Sequence, residues 1–323
     1  MIGVLRFLLR RLAWTVALLL AVSALTFLVF YTLPSADPAT LRAGRAASPE
    51  LLAQVRADLG LREPVHEQFR LYMRALVLHG DLGFSYRTGA PVRDEIADRL
   101  PATLSLTGGA VLLWLALGIP LGIAAALHPR GRLDRLAMGG ALLAVCAPVY
   151  FTGLVALYLF SDDIGVLPLL PGAGSYRGVT EDAGAWLGSL VLPWLVLAAT
   201  SAAIYARFLR GSLLEAMSQQ HVEAARARGL SERRVVAAHG VRSAITPVVT
   251  LLGLDVGILL GGAVLTESVF NVPGVGKLAV DAIEAGNLPL IQGTVLLGAL
   301  FVVAASLVVD LLYALLDPRV RSA

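Results

Sequence analysis

Six long apolar stretches, separated by shorter polar segments, dominate the hydrophobic pattern of this chain. An α-helix needs about 20 mostly apolar residues to cross the roughly 30 Å of hydrocarbon in a bilayer. Each stretch meets that length, so the pattern predicts an all-α integral membrane protein with six transmembrane helices. The predicted spans cover residues 12–33, 102–127, 136–160, 187–206, 245–265 and 289–316.

The first span begins directly after a basic cluster, Arg6, Arg10 and Arg11, as a secretory signal peptide does. Its apolar region is longer than the roughly 7–15 residues of a signal peptide, and no clean small-residue cleavage motif follows it. We therefore expect a retained signal-anchor helix and not a cleaved leader.

The composition also indicates a lipid environment. Hydrophobic residues make up 57% of the 323 positions and charged residues 15%, whereas soluble domains carry about 25% charged residues. The single cysteine, Cys146, excludes an intrachain disulfide and a cysteine-based metal site. A net charge of +3 without a dense basic block argues against nucleic acid as a partner.

Arginines are distributed unequally between the two sets of short loops that six spans create. Fifteen lie at the termini, in residues 128–135 and in residues 207–242, whereas the opposite set holds only Arg177 and Lys277. Because basic short loops stay in the cytosol, we expect both termini there. The predicted organisation is an N-terminal tail and first helix (1–33), an external segment (34–100), a five-helix core (101–316) with a cytosolic loop (207–244), and a cytosolic tail (317–323).

The external segment carries helix start and stop signals. Ser48, Pro49 and Glu50 combine a capping hydroxyl, a proline at the first helical position and an acid at the positive helix end. A second helix is expected between Pro64 and Gly80, with apolar residues on one face. Because this segment forms too small a core to be stable alone, we expect it to pack on the membrane domain.

The fifth predicted span carries three glycines at four-residue spacing, Gly253, Gly257 and Gly261. Small residues at this spacing allow close helix packing in lipid. Asp255 lies on roughly the opposite face, and a carboxylate at this depth indicates either a transport pathway or a structural hydrogen bond. Asp310, near the end of the last span, is expected to pair with a loop arginine.

The residues required for catalytic, metal and nucleotide sites do not occur in the necessary patterns. All five histidines lie outside the predicted spans, and neither an H-E-x-x-H motif nor a close cluster of histidines and acids is present. The sequence GVGK at residues 274–277 lacks the earlier glycine and the following serine or threonine of a phosphate-binding loop. We therefore predict a non-catalytic chain without a metal site.

A polar island at residues 207–242 separates the fourth and fifth spans. The sequence EAA at residues 223–225 predicts a short helix with small residues on one side, which ends at Gly229, a residue that tolerates a left-handed helix end. Ser231 begins a second helix, and Pro247 is expected to start the fifth span. Taken alone, the island fits either a solvated basic connector or a helix that enters a groove on another protein.

This island resembles the E-A-A-x-x-x-G loop of binding-protein-dependent ABC importer permeases, the coupling element that docks on the ATPase subunit. Further blocks, in order, resemble the B-type permeases of dipeptide and oligopeptide importers. These blocks are LGLREP at 59–64, GDLGFS at 80–85, RLPATL at 99–104, ESVF at 267–270, PGVG at 273–276 and LLYALLDPR at 311–319. The resemblance assigns ATPase coupling to Glu223, Ala224, Ala225, Arg226, Arg228 and Gly229.

The resemblance implies a type I importer permease core in the last five spans and an alternating-access mechanism. Its implied partners are a second homologous permease subunit, two ABC ATPase subunits, an extracytoplasmic solute-binding protein and membrane lipid. The chain itself needs no cofactor, because ATP and Mg²⁺ are bound by the ATPase subunits. The implied location is the cytoplasmic (inner) membrane of a prokaryote.

Di- and oligopeptides are the cargo that the resemblance favours, with nickel, glutathione or another small solute as alternatives. The chain departs from the family pattern at residues 33–38 (LPSADP) and at residues 286–287, where Gly-Asn replaces an Arg-Asp pair. These external departures leave the cargo open. A stand-alone carrier or channel is the competing class, but such carriers commonly show inverted repeats or paired broken helices, and the sequence shows neither.

Overall fold

The computed structural model describes residues 2–29, 38–44, 47–58, 60 and 63–316. The described residues form fourteen α-helices and no β-strand, which confirms the all-α class. The helices are α1 (Ile2–Phe27), α2 (Pro38–Ala43), α3 (Pro49–Asp58), α4 (Val65–His79), α5 (Val92–Leu127), α6 (Arg132–Cys146), α7 (Val149–Phe160), α8 (Ala183–Met217), α9 (Gln220–Ala227), α10 (Glu232–Val235), α11 (Arg242–Leu260), α12 (Val264–Val269), α13 (Val275–Glu284) and α14 (Leu288–Leu316). A π-helical segment, Val236–Val241, joins α10 to α11.

Five helical stretches in the described chain are long and apolar enough to cross a membrane. They are α1, α5, α8, the continuous stretch Glu232–Leu260 and α14. The bent pair α6 and α7 makes a sixth if it is counted as one span, which agrees with the six predicted apolar runs. The departure at residues 33–37, the predicted tail 317–323 and the side chain of Asp310 lie outside the described residues.

The third predicted span, residues 136–160, is not one continuous helix. It is divided into α6 and α7, which meet at a bend of 101°. Ala147 and Pro148 at the break are extended, with ψ angles of 120° and 136°. Proline lacks the N–H of a helical hydrogen bond and disfavours helical geometry in the residue before it. The predicted span is therefore helical on both sides of a sharp bend at this proline.

The helices α5 and α8 pack along each other at the centre of the molecule. They contain 36 and 35 residues, so at about 1.5 Å per residue each is roughly 50 Å long and extends beyond the hydrocarbon region. A Cβ atom on Gly118 would lie 2.9 Å from the carbonyl oxygen of Ala202, and one on Gly122 would lie 2.8 Å from that of Ala206. Glycine at these positions therefore permits the close approach.

The remaining spans surround this pair. α11 packs on α8 and α14, and α1 lies at the periphery against α14. Large apolar side chains of α1, among them Leu12, Trp14 and Leu20, are exposed. In a membrane protein such a face is suited to contact with lipid.

The two helices predicted in the external segment are confirmed as α3 and α4. Ser48 Oγ accepts a backbone hydrogen bond of 3.2 Å from the first turn of α3, and α4 ends at Gly80 with a left-handed φ of 60°. Phe69 and Tyr72 of α4 pack on Phe27 of α1, with ring centroids 5.3 and 5.8 Å from it. The segment is therefore packed on the first span.

Pro247 does not start the fifth span, contrary to the sequence prediction. It lies inside α11, which continues from α10 through the π-helical segment. A proline removes one helical hydrogen bond, but neighbouring contacts can hold the helix in place. Here the preceding turns pack against α8, and they keep their helical geometry up to the proline.

Candidate functional site

The polar island folds as a helical hairpin that connects α8 to α11. The helix α9 projects from the end of α8, and the chain returns through α10 and the π-helical segment. Gly240 of the returning segment lies against α8, where a Cβ atom would be 2.7 Å from Met217 Sδ and 3.0 Å from a methyl carbon of Leu213. The hairpin is therefore packed closely onto the end of a central helix.

α9 has one buried and one exposed face. Val222 and Ala225 pack against Val235 of α10, and Ala225 is only 4% exposed. The other five residues assigned to coupling are exposed: Glu223, Ala224, Arg226, Arg228 and Gly229. Sequence reasoning placed both alanines on the side that enters a partner's groove, but the structure uses Ala225 to hold α9 on its own chain.

Gly229 follows α9 in the left-handed conformation, with a φ of 77°. Its N–H donates to the carbonyl oxygen of Arg226 at 2.9 Å, and the N–H of Leu230 donates to that of Ala225 at 3.4 Å. Apart from its two chain neighbours, no described residue has a heavy atom within 4 Å of the position that a Cβ would take. Conformation, not space, therefore favours glycine here, and the predicted helix end is confirmed.

An ion pair bridges the two helices of the hairpin. Arg226 donates from Nη2 and Nε to the carboxylate of Glu232, at 2.7 and 3.2 Å. Both side chains are largely exposed, so the pair contributes little to stability. The pair makes a two-point contact between α9 and α10. Glu223, Ala224 and Arg228 complete the outward-facing surface.

A second ion pair near this hairpin was not predicted. Arg210 of α8 donates from Nε and Nη2 to the two carboxylate oxygens of Asp134, at 2.5 and 2.7 Å, and the Arg130 N–H donates to the same carboxylate at 2.8 Å. Asp134 is 4% exposed. In the sequence, Asp134 is a single acid between Arg132 and Arg135, and this position was the local feature that could have indicated an ion pair. The pair holds the start of α6 on the part of α8 that leads to α9.

Asp255 in α11 makes a hydrogen bond within the bundle. The hydroxyl of Tyr205 donates to Asp255 Oδ2 at 2.8 Å. Tyr205 is 1% exposed, and its ring lies 5.7 Å from that of Trp114. A structural hydrogen bond is one of the two interpretations of this carboxylate that the sequence allowed. The other, a role in a transport pathway, stays a prediction.

Gly253 and Gly257 of α11, and Gly261 directly after it, lie on the face that meets α14. A Cβ atom on Gly257 would lie 2.9 Å from Val302 Cα, and one on Gly261 would lie 3.1 Å from Gly298 Cα. A Cβ atom on Gly253 would overlap a side chain of α14. These backbones therefore approach each other as small residues allow in membrane helices.

A buried carboxylate organises the chain between α11 and α14, outside the membrane-spanning helices. Glu267 of α12 has no exposed surface. The Thr103 hydroxyl and the Lys277 N–H each donate to it at 2.8 Å, and Thr103 Oγ1 accepts from the Val275 N–H at 2.8 Å. Burial raises the pKa of the Glu267 carboxyl, and these hydrogen bonds oppose that rise. A side chain on Gly274 would collide with the carboxylate.

These hydrogen bonds bring three separate sequence blocks into contact. RLPATL supplies the threonine, ESVF supplies the glutamate, and PGVG supplies the turn at the start of α13. The sequence showed the blocks but not their contact, because RLPATL lies more than 160 positions before the other two blocks along the chain.

Comparison with known proteins covers almost the whole chain. Residues 118–322 match the family described as binding-protein-dependent transport system inner membrane component. Residues 4–107 match the family described as the N-terminal region of such membrane components. The matched regions include the external segment, the hairpin and the Glu267 network.

Similar proteins of known role match along their full length. The chain is 41% identical over 317 residues to the glutathione transport system permease protein GsiC of Salmonella typhimurium (strain LT2), covering 98% of this chain and 99% of the relative. It is 36% identical over 337 residues to the dipeptide transport system permease protein DppB of Escherichia coli (strain K12), with the same coverage. The chain therefore belongs to the binding-protein-dependent transport system inner membrane component family, as a non-catalytic permease subunit of an ABC importer.

Proposed function

We propose that this chain pairs with a second, homologous permease to form the translocation pathway of an importer for short peptides, including glutathione. Two ABC ATPase subunits bind ATP and Mg²⁺ and drive the cycle, and an extracytoplasmic solute-binding protein delivers the cargo. The chain crosses the cytoplasmic membrane of a prokaryote with both termini in the cytosol, an orientation supported by the distribution of its arginines.

The observation that carries the proposal is the geometry of α9. This short helix is held on its own chain by Val222 and Ala225, while Glu223, Ala224 and Arg228 face outward. A small residue between two charged ones allows a partner's groove to approach the helix closely and to be fixed by polar contacts. Helix-in-groove docking is a common mode of recognition.

The packing also suggests how movement of α9 reaches the pathway. α9 follows α8 after a two-residue turn on one side and is joined to α11 through α10 on the other. α8 in turn packs on α5 at Gly118 and Gly122 of α5. The Asp134–Arg210 pair connects α8 to α6. Closure of the ATPase dimer changes the contacts of α9, and such a difference between two states is what shifts a conformational equilibrium.

We also propose that Asp255 lines the pathway while it is bonded to Tyr205. Its side chain is only half-buried although it lies within a membrane span, where a carboxylate is costly unless it faces protein or water. Unchanged uptake kinetics of every cargo in an Asp255→Asn variant would leave this residue with the hydrogen bond alone.

Short peptides are proposed as cargo because the two relatives transport one chemical class. Their names specify glutathione, a tripeptide, and dipeptides. Both cargoes are small and carry free carboxylate and ammonium groups. Nickel and other small solutes remain the alternatives considered from the sequence.

The coupling role is tested with Ala224→Glu in the complete importer, reconstituted in liposomes with its binding protein. A charge forced into the docking groove should lower ATP-dependent dipeptide uptake by about tenfold or more, without loss of membrane insertion or of permease pairing. The matched control is Arg233→Ala, an exposed change on α10 that lies outside the proposed docking face. Normal uptake by Ala224→Glu, or ATP-independent uptake by the wild-type chain alone, contradicts the proposal.

A further inference from the structure

A cavity of about 370 Å³ with several charged side chains in its lining lies at the end of the molecule that carries the external segment. Three parts of the chain form it: the loop that follows α4, the first turns of α5, and the junction of α13 with α14. The cavity thus brings together the GDLGFS block, the RLPATL block and the departure at residues 286–287. None of these has a role in the proposed coupling mechanism.

Hydrogen bonds and buried side chains hold the floor of this cavity in place. Asn287 donates from Nδ2 to Ser85 Oγ at 2.7 Å and accepts from the Tyr86 N–H at 3.1 Å, across 201 or more positions of the chain. Asn287 and Ser85 are each 3% exposed. Below them, Val92 and Leu290 belong to one buried apolar cluster. The cavity is therefore formed before any ligand arrives.

Charges of both signs line the cavity. Arg87 and Arg99 contribute guanidinium groups, and Glu95 and Asp281 contribute carboxylates. Among the ion pairs of the described residues, none includes any of these four side chains. Glu95 instead accepts a hydrogen bond from the hydroxyl of Thr88. Within the described part of the chain, the half-buried Arg99 therefore has no carboxylate partner, although a guanidinium group binds carboxylates strongly when it is partly desolvated.

We propose that this cavity binds a short zwitterionic peptide, with the free carboxylate at Arg99 and the ammonium group near Asp281. The inference rests on the proposed function and specifies an external receiving site for the cargo. The volume lies at the lower end of the roughly 300–1,000 Å³ typical of small-molecule pockets, which suits a di- or tripeptide. An acidic side chain of a docked protein fits less well. It would bring a negative charge close to the carboxylates of Glu95 and Asp281, but no ammonium group to balance them.

The test measures peptide binding to the complete importer in nanodiscs without the binding protein, by saturation-transfer NMR. Its probes are alanyl-alanine, the C-terminal amide of that dipeptide and the N-acetyl form. The wild type should bind the free dipeptide most tightly. Arg99→Gln should weaken binding of the free dipeptide by about tenfold or more and leave binding of the amide unchanged. Asp281→Asn should weaken binding of the free dipeptide but not that of its N-acetyl form.

Arg93→Gln is the matched control, since Arg93 lies on the same helix, is exposed beside Asp94 and does not line the cavity. It should bind all three probes as the wild type does. Arg99→Lys keeps the positive charge and should restore part of the affinity, and it replaces Arg99→Gln if the latter does not assemble. Equal wild-type affinity for the dipeptide and its amide overturns the proposal.

Two further measurements separate the alternatives. If Arg99→Gln weakens docking of the empty binding protein and leaves dipeptide binding intact, the cavity is a protein contact and the proposal is wrong. Uptake of alanyl-alanine and glutathione by the wild-type importer tests the proposed function separately. Absence of uptake would overturn the peptide cargo, whereas the amide comparison still decides whether the cavity binds a carboxylate.

Discussion

Glu267 shows how one buried carboxylate holds several helices together. Its two oxygens receive the Thr103 hydroxyl of α5 and the backbone N–H of Lys277 at the start of α13. An unpaired buried carboxylate costs several kcal/mol, so these donors are needed wherever the side chain is enclosed. The Thr103 hydroxyl has two roles in this contact, because it donates to Glu267 and also accepts a hydrogen bond from the Val275 N–H.

Thr103→Val should therefore destabilise the protein. The change removes a donor from Glu267 and an acceptor from Val275, and each buried group left unsatisfied costs about 1–3 kcal/mol. The measurement is the Tm of the purified chain in detergent. Thr107→Val is the matched control, because the hydroxyl of Thr107 is buried one turn further along α5 and has no hydrogen-bond partner among the described residues. Equal losses of Tm in the two variants would show that the Thr103 contacts contribute nothing specific.

For single residues, the sequence identified the members of the coupling segment better than the side of the helix on which each side chain lies. The EAA segment and Gly229 were recognisable as a helix and its end, and both are found. Which alanine faces the partner depends on the return of α10, where Val235 packs on Ala225. Adjacent helical residues differ by about 100°, and no local signal in the sequence specifies where α10 will lie.

Among the elements, the break between α6 and α7 shows the limits of local signals. Pro101, Pro120, Pro193 and Pro247 lie inside continuous helices. Pro148, in an equally apolar stretch, separates two helices at a sharp bend. A proline in the sequence therefore does not by itself determine whether a span breaks.

The contacts of α7 give the physical reason for that break. The bend directs α7 towards α12, where Gly153 lies so close that a Cβ atom would be 3.0 Å from Val269. Those two positions are far apart in the sequence, and both are apolar. The hydrophobic pattern thus predicted that this stretch is helical and membrane-embedded, but its direction is determined by a tertiary contact.

At the level of elements, the Asp134–Arg210 pair should hold α6 on α8. Arg210→Ala should lower Tm, because it leaves the almost fully buried Asp134 carboxylate without its two-point partner. The double variant with Asp134→Asn should recover part of that loss, since the unpaired charge is then also removed. Arg207→Ala is the control, as this exposed arginine lies on the same helix. Independent, additive effects of the two changes would contradict a pairing role.

For the whole molecule, the sequence predicts which segments enter the membrane more readily than how they pack. Lipid-facing and buried helix faces are both apolar, so hydrophobicity does not distinguish the peripheral α1 from the central α5 and α8. The exposed Trp14 of α1 and the buried Trp114 of α5 illustrate this. Small residues gave the available signal, because Gly118 and Gly122 are the positions where α5 meets α8.

Orientation is the property of the whole molecule on which the coupling proposal depends. We expect the two ends of α8 on opposite sides of the membrane, because its length of about 50 Å exceeds the hydrocarbon thickness. Basic short loops favour the cytosol, and the end that continues into α9 belongs to the arginine-rich set. Thr180, just before α8, should therefore be external, and Gln220 at the start of α9 should be cytosolic.

Single cysteines at these two exposed positions test this orientation. In a Cys146→Ser background that retains uptake, Thr180→Cys should react with a membrane-impermeant maleimide in intact spheroplasts. Gln220→Cys should react only after the membrane is permeabilised. The background without any cysteine is the control for non-specific labelling. The opposite pattern would place α9 on the external side, where no ATP is available, and a cytosolic ATPase could not then drive this chain through it.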